Sequence, residues 1–117
     1  MIAEGFRFIF DYPLWVLKDI RRQLVAVVGC LAPAEVAVCI WTDRPAAEDF
    51  RDRHPVMAEY SPVPLNESAA VACFLEDQGR RGITAVMLDP RTIGQRGWRR
   101  VALTDLLNFV YAQEIET

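Results

Sequence analysis

The chain has one histidine and three cysteines among its 117 residues, and these shortages exclude most of the chemistry a small domain can carry. The single imidazole, His54, stands directly before Pro55 at the end of an expected helix, a place for capping or solvent contact rather than for a base beside a nucleophile. No catalytic triad can be assembled, and no catalytic residue is expected. Cys30, Cys39 and Cys73 are odd in number, lack CxxC spacing and lie in apolar surroundings, so reduced, buried packing thiols are expected in place of disulfides or metal ligands. Glycine is sparse too. Gly94 and Gly97 precede no helix at the spacing a phosphate-cradling loop needs, and no zinc or calcium pattern occurs, so neither metal nor cofactor is expected. Long apolar runs are missing as well: the longest, residues 24–32, falls far short of the roughly 20 residues of a membrane span. The N-terminal stretch shows neither a basic region nor a small-residue cleavage site. A soluble, cytoplasmic protein with no membrane partner is the expectation.

What is present describes an ordinary globular domain. With 52% hydrophobic and 25% charged residues, residues 1–117 suffice for one domain whose core needs no staple. The formal charge of −3 is unevenly distributed. Residues 80–100 hold Arg80, Arg81, Arg91, Arg96, Arg99 and Arg100 against Asp89, a local +5 that leaves −8 elsewhere. Such a segment is either an anion-binding patch or a solvated stretch whose arginines pair with neighbouring carboxylates. The second reading is preferred, and no nucleic-acid partner is expected, because no aromatic residues interleave with the arginines as a nucleic-acid groove requires.

Periodicity supplies the elements. Phe6, Phe8, Phe10 and Tyr12 alternate as a strand or extended edge would. Two apolar runs, 14–18 and 23–29, are separated by a charged stretch and read as a hairpin with a four- or five-residue loop. In residues 36–41 both alternating sets are apolar, Val36, Val38 and Ile40 on one side and Ala37, Cys39 and Trp41 on the other, which marks a central strand covered on both faces. It turns directly into a helix over about 45–53, with Thr42 or Asp43 as N-cap and Pro45 in the first turn. Pro62 and Pro64 confine the following segment to an edge. A second helix is expected over 67–78, capped by Asn66, stopped by Gly79, and turning Ala69, Ala72, Cys73 and Leu75 inward. Residues 82–88 form a second strand buried on both faces, available for parallel pairing across the helical crossover. A short strand or turn over 98–103 and a third helix capped by Thr104 complete the chain. The fold class is therefore α/β (α+β): a single mixed β-sheet of about five strands with two to three helices packed on it.

The run Ile40-Trp41-Thr42-Asp43 leading into a helix with Ala46 and Ala47, the proline-containing extended segment, and Gly82-Ile83-Thr84-Ala85-Val86-Met87-Leu88-Asp89-Pro90 resemble the N-terminal domain of the SseB-like (enhanced serine sensitivity) proteins over residues 14–113. In that family a similar aromatic-Thr-Asp or aromatic-Thr-Ser turn ends one strand and Asn-Pro-Gly ends a later one; here Asp89 stands for the asparagine and Arg91 for the glycine. The resemblance implies a small α/β domain with no catalytic residues to carry over.

One polar constellation follows from the expected parallel pairing. Thr42 and Asp43 would share an edge with Asp89, Arg91 and Thr92, beyond the carboxyl ends of the strands, where open α/β sheets bind ligands. These five are the candidate binding residues, against the alternative that Thr42 and Asp43 cap a helix and Asp89 shapes a turn. Three functions are thus open. The first is a non-catalytic protein-interaction module, self-associating or bound to a protein partner, favoured because Trp15, Trp41, Trp98, Tyr12 and the Phe6, Phe8, Phe10 row exceed what a small core needs. The second is a polar-ligand-binding domain at this edge. An enzyme with an unfamiliar site ranks last.

Overall fold

A computed structural model describes residues 12–29, 35–90 and 99–116. The alternating row Phe6, Phe8 and Phe10, together with Cys30, Arg91, Thr92, Arg96 and Trp98, lies outside them.

The α+β class expected from sequence is present, with three helices among the described residues, and the expected single sheet resolves into two sheets joined through Ala26. The first has the order β2-β1-β5, formed by β1 (Leu14–Asp19), β2 (Leu24–Val25) and β5 (Ser61–Leu65), all antiparallel. The second has the order β3-β4-β6-β7, formed by β3 (Val27–Gly29), β4 (Val36–Ile40), β6 (Ala85–Leu88) and β7 (Arg99–Ala102). Ala26 joins β2 to β3 and serves both sheets: its N–H donates to Leu17 O at 2.9 Å and its carbonyl accepts Cys39 N–H at 3.1 Å. A second stitch is a reciprocal backbone pair at 2.8 Å between Trp15 and Trp41.

The hairpin between β1 and β2 closes where charge replaces the apolar pattern. Buried Asp19 accepts the backbone N–H groups of Arg21 and Arg22 at 3.1 and 3.2 Å, an Asx-type turn. β4 then pairs antiparallel with β3 and parallel with β6, in the register Ala37↔Ala85 to Ile40↔Leu88.

Both faces of the central strands are covered, as their sequence requires. On one face Val38, Ile40, Val86 and Leu88 join Leu14, Val16, Val71, Leu75, Leu106 and Val110, packed beneath α2 (Ser68–Arg80) and α3 (Leu103–Glu116). On the other, Leu17, Cys39 and Trp41 meet Ala47 and Phe50 of α1 (Arg44–Asp52), and Met57 of the single 3-10 turn that follows. On that same face a cross-sheet row of alanines, Ala37, Ala85 and Ala102, lies beside Arg100, whose guanidinium bonds both oxygens of Glu35 at 2.6 and 2.9 Å.

Several local expectations need correction. Asn66 does not cap α2; Glu67 occupies the N-cap position, without a side-chain bond. Gly79 lies inside the helix, which runs on to Arg80 and closes through C-cap Arg81 in a Schellman arrangement: Gly82 at φ +91° donates to Gly79 O at 3.0 Å, and Ile83 donates to Gln78 O at 3.1 Å. Thr104 is not a cap, because Leu103 already begins α3 and gives its N–H to Thr84 O at 2.9 Å. Ala69 and Cys73 are exposed, so the buried stripe of α2 runs through Val71, Ala72, Leu75 and Gln78. Cys39 alone among the described cysteines is a buried packing thiol. Trp41 is wholly buried, which makes it core rather than a surplus surface aromatic.

Candidate functional site: the carboxyl edge of the parallel strands

The parallel register carries β4 and β6 to the same edge, so Thr42 and Asp43 do emerge beside Asp89. Asp89 sits at φ +49°, the left-handed region that aspartate tolerates better than most residues. Its backbone N–H donates to Ile40 O at 2.8 Å. Its carboxylate then turns back along the ladder, accepting Thr42 N–H at 2.8 Å and the Thr42 hydroxyl at 3.1 Å on each oxygen. The side chain thereby stands in for the next residue of the strand. Asp43 is the N-cap of α1, accepting Ala46 N–H at 2.7 Å. Behind them Trp41 donates its indole N–H to Pro90 O at 2.9 Å and lies 5.3 Å from Phe50, ring centroid to centroid.

Thr42 and Asp89 are therefore brought together, Asp43 is held on the helix beside them, and Arg91 and Thr92 lie outside the described residues. The polar atoms that are brought together bond one another. Chemically, this edge is a latch: one aspartate ties the two parallel strands and the other starts the helix. Arg44, next to Asp43, lies 5.6 Å over the Trp15 ring and 3.5 Å from Glu48, and Arg99 stands opposite Leu88 in the β6–β7 ladder. His54 is stacked on Phe50 with centroids 4.0 Å apart, its Nδ1 2.6 Å from Phe50 O at the end of α1. No group of three metal-ligating side chains occurs among the described residues.

The basic segment is similarly engaged. Arg81 lies 3.1 Å and Arg80 3.9 Å from the Asp77 carboxylate, and Arg100 holds Glu35.

A feature that periodicity alone did not single out is the shared strand β2–β3, the outermost strand of both sheets. Leu24 is 46% exposed and Val27 39%, with Ile20 at the hairpin tip and Val36 across from Gly29 also open to solvent. The sequence signal was available in residues 24–29, Leu-Val-Ala-Val-Val-Gly, which contain neither charge nor proline. Among the described residues no helix is long and apolar enough to cross a membrane. No protein-family model matches this sequence, and no curated protein matches it.

Proposed function

We propose that this chain is a non-catalytic protein-interaction module that engages partners through the β2–β3 edge. The observation that carries the reading is the contrast between its sheet edges. β5, the other edge of the first sheet, carries Pro62 and Pro64, and β7, the other edge of the second, begins with Arg99 and Arg100. Prolines and charges are the devices by which proteins blunt exposed edges against pairing. β2–β3 has none of them and adds the exposed apolar side chains of Leu24 and Val27. An edge left open in this way suits strand addition, in which main-chain bonds give affinity and alternate side chains give specificity.

Other features support the same reading. The aspartates at the strand ends are consumed by the latch and the cap, which weighs against a polar ligand there. Pairing of Arg80, Arg81 and Arg100 with acids weighs against a nucleic-acid partner. The proposal includes a cytoplasmic location and kinship with the SseB-like N-terminal domain, whose resembling runs, Ile40 to Asp43 and Gly82 to Pro90, include the residues of the latch.

The test is affinity capture with the wild-type chain and with Val27→Lys, matched for thermal stability. The expected result is at least one directly bound protein, confirmed with purified components, that the wild type retains and the variant loses. Identical sets of bound proteins from the two would refute the edge as the docking surface.

A further inference from the structure

The edge has a geometry that selects its occupant. Because Ala26 turns its N–H and carbonyl inward to Leu17 and Cys39, the alternation of an antiparallel strand turns those of Val25 and Val27 outward. Opposite Lys18 and Val38, Val25 and Val27 then occupy the non-hydrogen-bonded positions of the two ladders. We infer that a second copy of this chain adds to the edge, antiparallel and two-fold about Ala26, an inference that rests on the reading of β2–β3 as the docking surface.

The register follows from the outward row. In an antiparallel pair opposite residues point to the same face, and outward-facing groups must meet outward-facing groups. Centring on Ala26 satisfies both conditions: Val25 of each copy faces Val27 of the other, exchanging N–H···O bonds, while Leu24 faces Val28. Bulky apolar residues thus oppose bulky apolar residues on both faces, with the small Ala26 at the axis. The same five-residue stretch is therefore complementary to itself.

Charge favours the same arrangement. Arg21 and Arg22 sit at the hairpin tip, where the Arg22 side chain is 70% exposed. Antiparallel addition carries the two basic tips to opposite ends of the paired edge, so like charges do not meet across the axis. Size sets the strength. An edge of six residues is about 20 Å long and offers less than the roughly 800 Å² per partner of a stable interface, so the dimer forms reversibly as concentration rises.

Sedimentation equilibrium and residue-resolved amide exchange of the wild-type chain, across roughly 10 μM to 1 mM, decide the matter. The expected result is a mass that rises toward that of two chains, with the Val25 and Val27 amides slowing by about tenfold or more over the same range while the Ala26 amide, already bonded, stays as it was. Val27→Lys, or Leu24→Lys should that variant fold poorly, returns the mass to one chain. A rising mass with unchanged Val25 and Val27 exchange overturns the inference, because the copies then meet elsewhere. A mass that stays at one chain also overturns it, and leaves the edge as a site for a different protein, which the capture experiment judges separately.

Discussion

Asp89 and Asp43 are both acidic residues at strand ends, yet they do different work because of where their carboxylates reach. Asp89 spans two strands, bonding the Thr42 N–H and hydroxyl, whereas Asp43 serves only its own helix. Asp89→Ala removes these bonds and leaves a residue less tolerant of positive φ, so a loss of about 1–3 kcal/mol is expected in a denaturant melt. Asp89→Asn keeps an acceptor for Thr42 N–H and should lose less; equal losses would mean that the latch contributes nothing beyond its charge. Ile40 is fully buried under α2 and α3, and Ile40→Ala should lower stability by about 2–5 kcal/mol. An unmoved melting temperature would contradict its place in the core. The burial of Val38, Ile40, Val86 and Leu88 was legible in the sequence, because both alternating sets of these strands are apolar. The function of the Asp89 side chain was not. It depends on the register of β4 against β6, which no local pattern encodes.

Among the elements, α2 was the least legible. Residues 69–75, Ala-Ala-Val-Ala-Cys-Phe-Leu, are apolar on every side, so there was no polar contrast from which to fix which side faces inward. That is why Cys73 reads as buried and is exposed. Two glycines near its end pose the matching problem, since either can stop a helix in principle. Gly79 is helical, and a Cβ there would meet Leu103 Cδ2 at an ordinary 3.6 Å; Gly82 holds φ +91°. Gly79→Ala should therefore stabilise by about 0.5–1 kcal/mol, while Gly82→Ala should destabilise by about 1 kcal/mol or more. Opposite signs in paired thermal melts are the expected outcome, and the reverse pattern would move the helix end back to Gly79. The hairpin, the parallel pair and the proline-marked edge were all readable because turn residues and prolines act locally. The division into two sheets was not, since it turns on Ala26, a residue with no distinguishing chemistry whose two backbone groups happen to serve different strands.

For the whole molecule, the concentration of arginines in residues 80–100 invites a polyanion, but Arg80, Arg81 and Arg100 lie beside acids and the remainder of the chain carries −8. No shift of single- or double-stranded DNA or RNA is expected at physiological salt, where screening acts within about 8 Å; a shift lost in the Arg99→Ala, Arg100→Ala pair would contradict this. The account rests on one sheet edge being open while the others are blunted. Amide exchange of the dilute, monomeric chain tests that most directly. The Ala26 and Cys39 amides, bonded across the shared strand, should be protected, and those of Val25 and Val27 should exchange at close to the rate of a solvent-exposed strand edge. Protection of Val25 and Val27 in the dilute monomer would show that another part of the chain already occupies the edge, and would contradict its proposed role as a docking surface.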